Sequence, residues 1–381
     1  MSWLTAEEAL TLLGTKPQTL YANVSRGRIR AKPDPSDTRR SLYFGEDLKR
    51  LAARQSGRRK TEAVAEDAIR WGDPVLPSAV STVTKGRLFY RGRDALRLSE
   101  ACTLEEIASL LWNMKRPLQL TPKVGAGGKP SLANAFNALA LRAPNDLPSL
   151  GRSPVALQAE AESVLSTMAE ALAPGNEHVS LHERLAASFG RPQAADLIRR
   201  ALVLLADHEL NASTFTARVT ASAGATLSAC VLSGLSTLTG PLHGGAWRGV
   251  QALIDNADAS GARSAVQSYL AQGQALSGFG HLLYPDGDIR ARAMLPHIPL
   301  PPVLQDIEAA VKDMVGEQPN IDFAMSALAA TFDLPADAPL TIFALARTVG
   351  WLAHAMEQAN TGQLIRPRAR YIGQPLEIAA E

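Results

Sequence analysis

From residue 155 onward the chain is a succession of Ala- and Leu-rich segments of helical periodicity, cut at intervals by glycine and proline. Helices of this kind are stable only when their apolar stripes pack on one another. No βαβ alternation, no G-x-G-x-x-G opening a helix, no P-loop and no internal repeat interrupts the pattern. A doubly wound dinucleotide-binding sheet and a P-loop NTPase are thereby excluded, and the body reads as all-α with minor β. The 381 residues suffice for two or three domains. No apolar run reaches the ~18 residues of a membrane span, so no transmembrane helix is expected. The acidic start Thr5-Ala6-Glu7-Glu8 lacks a signal-peptide pattern. Two distant cysteines, Cys102 and Cys230, argue against a disulfide scaffold or a Cys-type zinc site and suit the cytoplasm.

Charge is distributed unevenly. Residues 1–60 hold 13 basic and 6 acidic side chains, a balance of +7, whereas the other 26 basic and 31 acidic groups leave −5. A basic head on an acidic body suggests a polyanion-binding module. Thr5-Ala6-Glu7-Glu8 reads as a capping box opening a helix that Gly14 ends, and Pro17 opens a second helix to Gly27. Arg39–Tyr43 reads as a strand and Glu46–Leu51 as a further helix. Through Leu4–Ala9, Leu12-Leu13-Gly14, Thr19-Leu20-Tyr21, Gly27-Arg28-Ile29 and Arg39–Tyr43, this stretch resembles the excisionase and MerR type of winged helix-turn-helix. The resemblance implies that Gln18, Tyr21, Arg26, Arg28, Arg39 and Arg40 face DNA. A docking or dimerisation module is the alternative.

The polar stretch Gln55–Lys60 reads as linker. Beyond it, β-prone runs flank Lys85-Gly86 within Val80–Gly92 and predict a hairpin. Thr103-Leu104-Glu105-Glu106 is a second capping box, and the glycines and prolines of 122–130 predict a mobile loop.

Four later segments are unusual for a plain bundle: Ala206–Phe215, Gly240–Ala246, Gly278–Tyr284 with Asp288–Ala291, and Asn320–Phe323 followed by Phe343–Trp351 and Ile365–Arg368. They carry three of the seven histidines, two of them beside glycine, where the backbone can approach a ligand closely. Each residue alone also has a structural reading. A Gly-His marks a helix end, Asp322 an N-cap, Arg347 a surface or ion-paired arginine, and Arg366 a chain-end salt bridge. No group has metal-ligand spacing, so no metal is expected.

Taken in order, these segments, together with Val80–Gly92, resemble the citrate synthase family from about Val80 to Gly373. The fold implied is a large and a small helical domain. With the head, the expected division is 1–55 winged helix-turn-helix, 56–75 linker, 76–245 large domain, 246–331 small domain and 332–381 the rest of the large domain. The activity implied is condensation of acetyl-CoA or propionyl-CoA with oxaloacetate, followed by thioester hydrolysis to citrate or 2-methylcitrate. Acyl-CoA is then a substrate, and no cofactor is implied. Asp322 matches the base that deprotonates the acyl methyl, and His243 the residue that bonds the thioester oxygen. His281 matches the donor to the 2-oxo acid carbonyl, and His208 a contact to that substrate. Arg290, Arg347 and Arg366 match the guanidinium groups that hold its carboxylates. The counterpart of Arg366 comes from the second subunit, so the resemblance implies a homodimer with shared sites. A helix N-terminus near His243 is expected to keep its ring neutral.

The chain also departs from the family pattern. Where the family has His-Arg-Val-Tyr-Lys, this chain has His281-Leu282-Leu283-Tyr284-Pro285. Trp247, Arg248, Ile289 and Ala324 likewise replace the usual residues. The lost cations lie in the loop that meets CoA, which leaves a second reading: a DNA-binding regulator that uses the body as a metabolite sensor.

Overall fold

The computed structural model describes residues 3–13, 20, 24, 29–34, 41–48, 76–120, 130–176, 178–369 and 371–374. The chain divides into two compact units, Met1–Pro77 with Arg366–Glu381, and Ser78–Ile365.

In the first unit, β1 (Trp3–Leu4), β2 (Ala31–Pro33) and β3 (Ser41–Phe44) form an antiparallel sheet in the order β1-β3-β2. Helix α1 (Ala6–Leu13) is opened by the expected capping box. Glu8 N–H donates to Thr5 Oγ1 at 3.3 Å, and Thr5 N–H donates to Glu8 Oε2 at 2.8 Å. Ala9, Leu13, Leu20, Ile29, Tyr43 and Leu48 make a small apolar core. Arg30 forks onto Asp47 at 2.7 and 3.0 Å. Leu20 and Val24 are helical, but the rest of the expected second helix lies outside the described residues. So do Gln18, Tyr21, Arg26, Arg28, Arg39 and Arg40, the 55–60 linker and most of the 122–130 loop.

The second unit opens with the expected hairpin. Strands β4 (Ser81–Thr84) and β5 (Arg87–Tyr90) pair antiparallel, and β6 (Arg93–Asp94) adds to β5. The two-residue turn has positive φ at Lys85 (49°) and Gly86 (67°), as the twist of a tight hairpin requires. The rest is helical: α2 (Ala95–Ala101), α3 (Leu104–Leu111), α4 (Leu132–Arg142), α5 (Pro154–Leu172), α6 (Leu181–Ser188), α7 (Ala195–Leu205), α8 (Ala212–Ser222), α9 (Leu227–Leu238), α10 (Trp247–Ser260), α11 (Ala262–Ala271), α12 (Ile289–Met294), α13 (Pro302–Met314), α14 (Ile321–Phe332) and α15 (Ala338–Thr361). The predicted capping box opens α3, with Thr103 and Glu106 reciprocally bonded.

Helix α15 is buried on nearly every side, as a helix apolar all round must be. It packs against α3, α5, α7, α8 and α9, and a Cβ at Gly234 of α9 would strike the buried Trp351 ring. Helices α10, α11, α13 and α14 pack mainly on one another. One continuous apolar core runs through both groups. Among the described residues, no helix is long and apolar enough to cross a membrane.

Candidate active site

The turn between α7 and α8 carries Asp207, His208 and Glu209. His208 is buried, and its Nε2 lies 2.9 Å from Tyr284 Oη. The His281 ring meets the His208 ring edge-on, with centroids 5.3 Å apart, and lies 4.9 Å from the Tyr284 ring. Leu283 N–H donates to His281 Nδ1 at 3.1 Å, so the neutral His281 ring carries its proton on Nε2. Burial, then the Arg290 charge, pushes His281 down to about 4. Burial, Arg290, Arg347 and the other two histidines hold His208 well below the usual range. Both rings are therefore neutral near pH 7.

His243 sits in the Gly240–Ala246 turn, which only glycine permits. A Cβ at Gly245 would lie 2.8 Å from Gly240 O, and one at Gly244 would meet Leu238 at 2.7 Å. Its Nε2 lies 2.8 Å from Ser213 Oγ, which also accepts from Trp351 Nε1–H at 3.1 Å. The Ser213 proton serves either Asn211 Oδ1, at 2.8 Å, or His243 Nε2. When it goes to His243, the ring proton moves to Nδ1, which then becomes a donor. His243 is pushed down to about 3 by burial first and the Arg347 charge second.

One face of α15 supplies Phe343, Arg347, Gly350, Trp351 and His354, at helical spacing. The Arg347 guanidinium lies 4.7 Å from the Phe343 ring centroid, and the same ring meets His243 edge-on. Arg347 Nε–H donates to Leu205 O at 2.8 Å, whereas the buried Nη1 has no hydrogen-bond partner among the described residues. Burial pushes this arginine down to about 10, with Asp207 opposing the shift. It is thus neither the surface arginine nor the ion-paired one of the structural reading.

Arg290 differs. Asp288 takes its Nε at 3.0 Å and its Nη2 at 2.8 Å, so the bidentate carboxylate on this guanidinium is the protein's own. Asp288 also caps α12 and accepts Ile321 N–H at 3.0 Å, tying α12 to the start of α14. Asn320, not Asp322, caps α14, accepting Asp322 N–H at 3.0 Å and Phe323 N–H at 3.4 Å. Asn320 also donates to Ser277 O and Gly280 O, fastening the His281 loop to the base of Asp322. Freed from capping, the Asp322 carboxyl is pushed up to about 7. Burial is the main cause, Asp288 adds to it, and Arg290 opposes it.

The structure therefore gathers His208, His243, His281, Arg290, Arg347 and Asp322 into one electrostatically coupled site. Arg366 is exposed and belongs to the other unit. Sequence reasoning missed Asp207, Ser213, Tyr284, Asp288 and Asn320 as site residues. The Asp-x-Arg and Asn-x-Asp spacings were the available signals for two of them. Among the described residues, no group of three His, Cys, Asp or Glu could hold a metal ion.

Histidines held neutral, a raised carboxyl and two buried guanidinium groups, gathered among packed helices, set this body apart from a plain bundle. Residues 151–368 match the family model "Citrate synthase, C-terminal domain", which is more than half of the chain. The citrate synthase of Synechocystis sp. is 31% identical over 79% of this chain and 89% of its own. The 2-methylcitrate synthase of Shewanella oneidensis is 29% identical over 79% and 93%. The crystal structure of citrate synthase from Thermotoga maritima covers 81% of this chain and 96% of its own, with TM-score 0.66 and 26% identity. The chain belongs to the citrate synthase family. It is a citrate synthase-type enzyme, an acyltransferase of the citrate or 2-methylcitrate synthase kind.

Proposed function

We propose that the body joins the carbon next to the thioester, the methyl of acetyl-CoA or the methylene of propionyl-CoA in the 2-methylcitrate variant, to oxaloacetate and then hydrolyses the thioester. No cofactor takes part. The observation that carries these roles is the Asp322 carboxyl, pushed up to about 7 near Arg290 and Asp288, in a site whose histidines are held neutral. A carboxylate of that basicity is matched to removing a weakly acidic methyl proton at neutral pH. His243, donating through Nδ1, stabilises the oxygen on which charge develops. His281 donates its Nε2 proton to the carbonyl oxygen of the 2-oxo acid. His208 contacts that substrate, and its carboxylates meet Arg347, through the unpartnered Nη1, and Arg290, through the edge that Asp288 leaves open. Thiol release from acetyl-CoA and from propionyl-CoA with oxaloacetate tests the reading.

The CoA loop supports weak acyl-CoA binding. Leu282 is 75% exposed and Pro285 is exposed, where the family has cations. Leu282→Arg with Pro285→Lys is expected to lower the acyl-CoA KM several-fold, more at low salt than at high, because exposed charges are screened. No tightening at any ionic strength would mean that the CoA phosphates do not meet this loop.

Residues 1–55 would form the winged helix-turn-helix, with Gln18, Tyr21, Arg26, Arg28, Arg39 and Arg40 on DNA. The +7 balance and the β2–β3 pair, whose connection contains Arg39 and Arg40, support this. The full chain is expected to bind double-stranded DNA with an affinity that falls steeply with salt. Arg39→Ala with Arg40→Ala should reduce the salt slope by about two. No binding at low salt leaves the docking-module reading. The exposed Leu282 favours a second reading of the whole, a metabolite sensor driving this head, and thiol release distinguishes the two.

The large and small domains would divide at about 245 and 331, with the enzyme working in the cytoplasm as a homodimer. Leu141, Leu147, Leu150 and Val155 are each more than half exposed around one loop, an apolar surface suited to a second copy.

A further inference from the structure

The Val80–Gly92 hairpin carries none of the groups assigned a chemical role, yet both of its strands hold the turn that carries His208. Ser81 Oγ–H donates to Asp207 Oδ2, and the same oxygen accepts Glu209 N–H at 3.0 Å. One hydroxyl thus bridges the two neighbours of His208. The Glu209 carboxylate returns to the same strand, accepting Val83 N–H and, at 3.0 Å, Thr82 Oγ1–H. From β5, the fully buried Tyr90 Oη accepts Asp207 N–H at 3.3 Å and reaches Val203 O at 2.9 Å.

The grip has something to hold. Glu209 has φ 51°, a left-handed conformation that a side-chain-bearing residue adopts only under constraint. Asp207 is completely buried and its carboxyl is held low: burial opposes the charge, but His354, Arg347 and the Ser81 hydroxyl outweigh it. His354 Nε2 lies 3.1 Å from Asp207 Oδ2, and a Cβ at Gly350 would collide with Asp207 Oδ1. Asp207 is therefore wedged between β4 and the α15 face that carries Arg347. Released from Ser81, the turn loses one bond on each side of His208, and the ring is left to its contact with Tyr284 Oη.

We infer that Ser81 is a positioning residue, through which the β4–β5 hairpin aims His208 at the 2-oxo acid. The inference rests on His208 being a contact to that substrate. Small displacements of a binding group cost affinity steeply, so the loss falls on one substrate.

The test uses the full chain carrying Ser81→Ala, Ser81→Thr, Glu209→Gln or, as control, Thr84→Ala. Oxaloacetate binding is measured calorimetrically, and KM for each substrate, kcat and Tm are measured alongside. Ser81→Ala is expected to raise the oxaloacetate Kd and KM on the order of tenfold, leaving acyl-CoA KM and Tm nearly unchanged. Ser81→Thr, which keeps the hydroxyl, should restore most of the loss. A folded Ser81→Ala enzyme with normal oxaloacetate binding overturns the inference. A rise in both KM values with a fall in Tm also overturns it, because that marks a merely structural role. If Ser81→Ala does not fold, Glu209→Gln carries the same expectations through the weakened Val83 contact. Wild-type protein that binds no oxaloacetate overturns the substrate reading, and the inference with it. Wild-type binding that Ser81→Ala leaves intact overturns the inference alone.

Discussion

Asp322→Asn is expected to lower turnover by on the order of a hundredfold or more, to leave oxaloacetate binding nearly intact and to raise Tm above pH 7. The two halves have one cause. Burial raises the Asp322 carboxyl from the ordinary 3.8 to about 7, so keeping it ionised is unfavourable in the folded chain. Its folded pKa lies above its unfolded value, so the native state binds more protons between pH ~4 and ~7, and stability falls as pH rises through that window. The cost is below about 4 kcal/mol, because the side chain keeps some contact with water. The Asn variant escapes this cost, so its advantage in Tm should grow from pH 4 to 7 and then level off. In the wild type, kcat/KM should rise with pH through about 7 as the base ionises. The histidines act in the opposite direction. His243 and His281, pushed down to about 3 and 4, leave an unfolded chain that binds more protons below pH 6.5. Their contribution to stability is present above pH 6.5 and is lost as pH falls towards those values. Melting curves and initial rates from pH 4 to 9 check all of this. Near-normal turnover in Asp322→Asn would remove Asp322 from the chemistry.

Co-expression of Arg366→Ala and Asp322→Ala, each inactive alone, is expected to restore about a quarter of wild-type activity if the sites act independently. Arg366 is exposed and lies outside the unit that contains the other site residues. On the shared-site reading, its guanidinium pairs with a substrate carboxylate in the second subunit. A mixed dimer then has one whole site, with Asp322 from one chain and Arg366 from the other, and one site lacking both. Random pairing makes about half of the dimers mixed, hence the quarter. If Arg366 instead serves its own subunit, both sites of every mixed dimer are damaged and activity stays at the mutant level. Mass spectrometry confirms that mixed dimers formed, so recovery no greater than in either parent would rule out the crossing.

What was legible in the chain was whatever depends on neighbours along it. The two capping boxes, the Lys85-Gly86 hairpin and the helical succession follow from local hydrogen bonding and periodicity, and all are present. Asp322, His243, His281, His208, Arg290 and Arg347 were legible because they recur as ordered short segments. What surrounds them was not. Asp322 reads as a cap until Asn320 is seen to hold that role. Arg290 reads as a free clamp until Asp288 is found on it. His243 is expected neutral from sequence, and the burial and the Arg347 charge that depress it come from the tertiary structure.

By itself, then, the sequence determined the helical class and the hairpin, because periodicity, capping and turn geometry act over a few residues, and its ordered segments named the side chains that the fold gathers. Only the tertiary structure decided their protonation. Desolvation and field depend on groups brought together from positions more than a hundred residues apart, such as Ser81 with Asp207 and Asp207 with His354.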